Sequence, residues 1–350
     1  MNNKNNRSIP ESDTLVATFR RAIRRPVLYS ALLLALSLGI GTGARAAADP
    51  GAPGPLQVSS GTYGGYGQTV QFPGFPGPVE MFGKVFWPSA LNNKYPLVLF
   101  LHGRHAVCYS GNQSRNEFPC SPGWQNLPNY LGYDCLAQSL ASHGYIVVSV
   151  SANGINAKDD DATVTDRGAL ARAQLLQMHL GLWQQANAGQ IFSGLFKDRV
   201  NLSFVGTMGH SRGGEGVVRH YLYNTEQGKP YNIRAVFPLA PVDFNRYRVN
   251  GTALGVLLPY CDGDVSNLAG VHYYDDSRYN VASDSGAKHT FLVLGANHNF
   301  YNTVWTPGLF QAGGSDDWLN NPGSGGDPHC GTVGVGRRLT DAQQRGTALA

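Results

Sequence analysis

The sequence is poor in charge. Only 14% of its 350 residues are Asp, Glu, Lys or Arg, against 42% hydrophobic residues. That is little charge for a cytosolic protein and ample apolar material for a large core. The positive excess is also misplaced for a nucleic-acid binder. Residues 1–48 hold seven basic and two acidic side chains, so the formal charge of +4 becomes −1 over residues 49–350. This excludes an electrostatic case for nucleic acid or an anionic membrane surface as partner, and a monomer is expected. Cysteine is sparse, with five residues, and neither C-x-x-C nor a Cys/His ligand spacing occurs. A structural zinc is therefore not expected, and no other metal or cofactor is called for. No internal repeat stands out.

Long apolar runs are scarce too. Val27 to Ile40 is apolar but short and interrupted by Gly39, which argues against a membrane span. It follows the basic stretch Phe19–Pro26 and precedes the small-x-small sites Ala44-Arg-Ala46 and Ala46-Ala-Ala48. Residues 1–48 thus read as a secretory signal and leader, with Arg20-Arg21 or Arg24-Arg25 as a loose twin-arginine variant. A secreted or periplasmic protein is expected, with residues 49–350 as a single domain and no stable membrane insertion once the signal is removed. Export permits disulfides. Cys108 and Cys120 bracket one polar loop, and Cys261 and Cys330 form the second expected pair. Cys135 falls in a helical pattern and is expected as a buried free thiol.

Apolar patterning sets the fold class. Residues 49–75 read as an extended lead-in to an edge strand, and Glu80–Trp87 alternates as a second strand. Tyr95–Leu101, Tyr145–Val150, Val200–Gly206, Ile233–Leu239, Leu254–Tyr260 and His289–Leu294 are continuous and apolar, as in strands covered on both faces. Helical spacing occurs over Leu131–His143, about Gly168–Ala188 and Gly213–Tyr223. Alternating strands and helices of this kind predict an α/β fold built on a mainly parallel sheet. Leu339–Ala350 begins a helix at an N-cap, Thr340, and is expected to lack its completion.

One motif carries the chemistry. Gly209-His-Ser211-Arg-Gly213 is G-x-S-x-G, set between a strand and a helix, which is the pattern of a nucleophile elbow. A serine there sits in strained backbone, and glycine neighbours let other backbone pass close by. A serine hydroxyl needs a base, and the base needs an orienting acid. On such a scaffold acid and then histidine follow in the chain. In Cys261-Asp-Gly-Asp264-Val265, Asp264 is favoured as the acid, and Asp262 is read as a turn residue capping backbone N–H groups. Asp243 competes. His298, in Gly295-Ala-Asn-His298, is the candidate base, and His289, His272 and His329 are set aside. Backbone N–H groups of Arg104 and Arg212 would form the oxyanion hole, with His102 structural.

Other features receive plainer readings. Asp159-Asp-Asp161 is expected to be solvated, and Glu215 to pair with an arginine. Tyr109, Trp124, Tyr133, Trp305 and Trp318 are candidates for either the cleft or the core.

Together, Leu-His-Gly-Arg (101–104), Gly-His-Ser-Arg-Gly-Gly (209–214), Asp-Gly-Asp (262–264) and Ala-Asn-His-Asn-Phe (296–300) resemble the α/β-hydrolase superfamily. The likeness runs from about Met81 to Asn302 and is nearest to secreted bacterial esterases of the chlorophyllase, platelet-activating-factor acetylhydrolase and cutinase-like groups. It implies an eight-stranded sheet and cofactor-free hydrolysis of a small-molecule or polymeric carboxylic ester. Ser211, Asp264 and His298 match the triad, and Arg104 and Arg212 the oxyanion positions. Arg212 stands where polyester-degrading relatives usually carry Met. Thr306–Gly336, rich in Gly, Asn and Pro, is expected to contribute a lid. A peptidase or acyltransferase using the same triad is the alternative within enzymes, and a silent binding protein the alternative outside them.

Overall fold

Tyr95–Leu101 shows how the chain becomes a sheet. Leu97, Leu99 and Leu101 pack into one apolar cluster, while Phe100 packs into another on the opposite face. Every second side chain points the same way along a strand, so an unbroken apolar run needs cover on both sides. Each fully buried Leu in such a strand contributes roughly 2 kcal/mol. In a computed structural model of the chain, residue 49 and residues 51–280, 283–318 and 327–350 are described. Residues 1–48, read above as a leader, lie outside the described residues.

In chain order the elements are β1 (Val58–Gln71), β2 (Pro78–Pro88), β3 (Tyr95–Leu101), β4 (Cys108–Ser110), β5 (Gln113–Arg115), β6 (Gln125–Asn126), α1 (Asp134–Ser142), β7 (Ile146–Val150) and the short α2 (Asn153–Asn156). There follow α3 (Ala169–Asn187), β8 (Val200–His210), α4 (Arg212–Glu226), β9 (Ile233–Leu239), β10 (Ala253–Pro259), α5 (Val271–Tyr279), β11 (Lys288–Val293) and α6 (Asp341–Leu349). Eight strands form the main sheet in the order β1-β2-β7-β3-β8-β9-β10-β11. From β7 to β11 all pairings are parallel, and β2 alone runs against the rest. This is the mainly parallel, eight-stranded sheet expected.

Helices cover both faces. Leu175, Leu176, Leu180 and Trp183 of α3 and Val217 and Val218 of α4 belong to the cluster on one side. Leu136, Ala137 and Ala141 of α1, with Ala348 and Leu349 of α6, belong to the other. That second face is incompletely covered. An apolar groove of about 1010 Å³ leaves Phe204, Phe291 and Leu292 about half exposed.

Side chains hold the starts of two helices. Asp166 accepts hydrogen bonds from the N–H groups of Gly168 and Leu170, starting α3. Thr340 caps α6 in a reciprocal box with Gln343. Three features had no legible signal: the short α2, α5, and the three-stranded β5-β4-β6 sheet built around a polar loop.

Cys108–Cys120 closes that loop, and Cys261–Cys330 ties the start of the loop after β10 to the C-terminal region. Both pairings match the expectation. Cys135 is free as expected but exposed rather than buried, because it faces outward from the first turn of α1. Among the described residues, no helix is long and apolar enough to cross a membrane.

Candidate active site

Ser211 occupies the single residue between β8 and α4, with φ 57° and ψ −124°. A side-chain-bearing residue rarely adopts positive φ, so surrounding contacts must hold it there. Ser211 N–H donates to the Leu239 carbonyl at 2.9 Å, fixing the turn to the neighbouring strand. A methyl group on Gly209 would lie 2.0 Å from the Gly213 oxygen, so strand and helix meet backbone to backbone. On the other side, a methyl group on Gly103 would lie 2.5 Å from Ser211 Cβ. The turn after β3 therefore presses directly against the serine. Arg104, the next residue of that turn, and Arg212, the first residue of α4, line the same cleft as Ser211. Neither backbone N–H has an acceptor among the described residues.

His298 lies in the loop after β11 and is almost fully buried. Its Nδ1 meets Asp262 Oδ2 at 2.8 Å, with side-chain exposures of 2% and 1%. The favoured acid, Asp264, is elsewhere. Its side chain is 63% exposed, and its Oδ2 lies 3.4 Å from Nε2, on the other edge of the ring. The D-G-D turn explains the difference. Asp262 does cap the turn, accepting from the N–H groups of Asp264 at 3.0 Å and Val265 at 2.6 Å, but only through Oδ1. A carboxylate has two oxygens, and Oδ2 remains for the imidazole. Asp243 is occupied by His272 at 2.9 Å and Arg246 at 3.5 Å. Among the described residues, no hydrogen bond joins Ser211 Oγ to His298, whose Nε2 faces Asp264 instead.

Charge around the ring is one-sided. Burial by itself favours neutral imidazole, but the carboxylates of Asp262, Asp264 and Asp317 outweigh it and lift His298 to about 9. His210, 4.8 Å away between ring centres, is held well below the ordinary histidine value, by burial first and by His298 second. His210 receives or donates one hydrogen bond at Tyr133 Oη, 3.0 Å from Nδ1. It also packs on Trp305, which stacks on His105. Tyr133 and Trp305 thus support the site from behind. His102 accepts from Ala152 N–H through Nε2 and meets the Gly103 carbonyl through Nδ1, the structural part foreseen for it.

The acidic loop before α3 departs from expectation. Asp159 is fully buried and pairs with Arg104 at 3.0 Å, Arg172 at 2.7 Å and Arg212 at 3.1 Å. Asp160, though exposed, adds Arg104, Arg167 and Arg212, and Asp161 is exposed and caps Thr163 instead. Both oxyanion-position arginines are therefore tied back by their side chains. Among the described residues, Glu215 pairs with no arginine. It accepts from the N–H groups of Phe244 and Asn245 and from the Asn245 amide, because the turn after β9 offers unpaired donors there.

Ser211 opens onto a cleft of about 770 Å³ whose wall includes Arg104, Arg212, Phe244, Asp264 and Asp317. None of the five candidate aromatics lines it. Ser315 and Asp317, from the expected lid segment, do. Residues 319–326 of that segment lie outside the described residues. Sequence reasoning missed Asp317 altogether, since an aspartate in a Gly-rich segment carries no local sign of a distant partner.

A strained serine at the end of a central parallel strand, an acid after β10 and a histidine after β11 decide the architecture. The fold is that of the α/β-hydrolases. No family model matches the chain. The chain is similar to Cutinase 1 of Thermobifida cellulosilytica, 25% identical over 187 residues, covering 53% of this chain and 62% of the relative. It is also similar to a cutinase of Thermobifida fusca (strain YX), 26% identical over 187 residues, covering 53% of this chain and 54% of the relative. The match thus spans less than two thirds of either relative.

Proposed function

We propose that this α/β-hydrolase is an exported serine esterase. Ser211 attacks the ester carbonyl and passes its proton to His298 Nε2, which the Asp264 carboxylate must first release. Asp262 holds the imidazole through Nδ1, fixing the tautomer whose Nε2 accepts. The N–H groups of Arg104 and Arg212 receive the oxyanion, each on the order of 10²–10³ in rate. His298 then returns the proton to the departing alcohol, leaving an acyl-enzyme on Ser211. Water, deprotonated by the same imidazole, releases the acid and restores the serine. The observation that carries this reading is the buried Asp262–His298 pair at 2.8 Å, set on the loops that follow the elbow in the chain.

Similarity to proteins named cutinases favours esters over amides. Export follows from the leader-like residues 1–48, and two disulfides suit an oxidising compartment. The test compares the protein with Ser211→Ala on p-nitrophenyl acyl esters of increasing chain length. Ester hydrolysis is expected to vanish in Ser211→Ala, and a fluorophosphonate is expected to label Ser211 in the parent. Equal hydrolysis by both proteins would remove Ser211 as nucleophile. Faster cleavage of matched anilides than of esters would replace esterase by amidase.

A further inference from the structure

The segment expected as a lid does something else in its described part. We propose that Asp317 is a positioning residue, clamping the loop that carries the acid to the loop that carries the base. The proposal rests on the esterase reading above and names what keeps its two loops in register.

Asp317 Oδ2 accepts from Gly263 N–H at 2.7 Å and from His298 N–H at 3.1 Å. Oδ1 accepts from Asn299 N–H at 3.1 Å. One carboxylate thus takes three backbone donors from two loops that follow different strands. Gly263 lies between the two aspartates of the D-G-D turn, and His298 is the base itself. The seat is tight, because a methyl group on Gly263 would lie 2.5 Å from the Asp317 carbonyl oxygen. Neighbours hold the strap down on both sides. Asn299 Nδ2 donates to the Ser315 carbonyl at 2.8 Å, and Asn297 Nδ2 and Arg338 Nη2 donate to Asp316 Oδ1 at 3.2 and 2.6 Å. The Cys330–Cys261 bond secures the same C-terminal region to the residue just before Asp262.

Such a clamp matters because the pairing of β10 with β11 ends at Pro259 and Val293, before the residues that carry the acid and the base. A misplacement of about 1 Å between catalytic groups costs on the order of 10²-fold in rate. Charge adds a second effect. The groups facing His298 are Asp262 and Asp264 from the acid loop, Asp317 from the strap and His210 from the end of β8. His210 is held neutral, so removing the Asp317 charge leaves the imidazolium less supported.

The test uses Asp317→Asn and Asp317→Ala in the full chain. In Asp317→Asn one oxygen still accepts while charge and one acceptor are lost. We expect kcat to fall about tenfold in Asp317→Asn and about 10²-fold in Asp317→Ala, with KM within twofold. The acid limb of kcat/KM should move to lower pH in both. An NMR titration of the His298 imidazole should show the same downward move without reference to turnover. If Asp317→Ala does not fold, Asp317→Asn carries both readouts. Folded variants with parental kcat and parental acid limb, even if less heat-stable, would reduce Asp317 to a structural part and overturn the proposal. Parental activity in Ser211→Ala is a separate failure, that of the esterase reading. In that event the NMR titration alone decides whether Asp317 acts on His298.

Discussion

At the scale of residues, the two aspartates of one tripeptide turn take opposite edges of the same imidazole. Asp262 is buried on Nδ1, and Asp264 is exposed near Nε2. Their substitutions should therefore separate cleanly. Asp262→Asn leaves the shape but destroys the tautomer preference, and kcat should fall by about 10⁴, as when a triad aspartate is amidated elsewhere. Asp264→Asn should leave kcat at its alkaline plateau within a few-fold. The acid limb should move to lower pH, because one of the three carboxylates that lift His298 is gone. Steady-state kinetics from pH 5 to 10 would read both, and a 10⁴-fold loss in Asp264→Asn instead would make it the orienting acid. In the parent, only neutral imidazole accepts the serine proton. With His298 lifted to about 9, kcat/KM should rise about tenfold per pH unit from neutrality up to that value. The same shift acts on stability with the opposite slope. The ordinary histidine value is about 6.5, so the contribution is fully present below that pH and is lost as pH rises through about 9. Activity and stability should therefore trade against each other in the alkaline range.

At the scale of elements, the loop between α2 and α3 is the hidden joint of the site. Through Asp159 it binds Arg172 on α3, Arg212 at the start of α4 and Arg104 on the turn after β3. Arg172 is fully buried, so losing Asp159 strands its charge. Asp159→Asn should cost about 3–5 kcal/mol of stability by denaturant unfolding. A loss under 1 kcal/mol would show that water reaches the arginines. The sequence could not disclose this loop, since three successive aspartates look alike whether solvated or buried, and their partners lie on distant elements. What was legible was local. Continuous apolar strands, helix spacing and the Gly-flanked serine each state their own structure within a few residues, and so the sheet, its helices and Ser211 could be read. Candidate histidines could also be placed by order after strands. The choice between Asp262 and Asp264 turned on which carboxylate oxygen the turn leaves free. Asp317 reaches the site only through tertiary folding of the C-terminal region. Neither leaves a local pattern.

At the scale of the whole molecule, the two disulfides differ in what they constrain. Cys108–Cys120 closes a loop of sequence separation 12 within one surface hairpin sheet, whereas Cys261–Cys330 spans 69 and joins the acid loop to the C-terminal region. In the chain-entropy view, the longer loop removes more freedom from the unfolded chain, about 4 kcal/mol against about 3 for the shorter. The energies are close, but the functional consequences are not. Cys261 directly precedes Asp262, and its N–H donates to the Ala296 carbonyl at 2.7 Å, two residues before His298. Releasing Cys330 therefore loosens the acid loop where it touches the base loop. Cys108 and Cys120 lie among Phe118, Trp124 and Tyr66, away from the imidazole. Cys330→Ser should thus lower both melting temperature and kcat, whereas Cys120→Ser should lower melting temperature with kcat nearly unchanged. Calorimetry paired with ester kinetics under non-reducing conditions would check this. Equal kcat losses in the two variants would mean that the C-terminal tether stabilises the fold without ordering the acid loop.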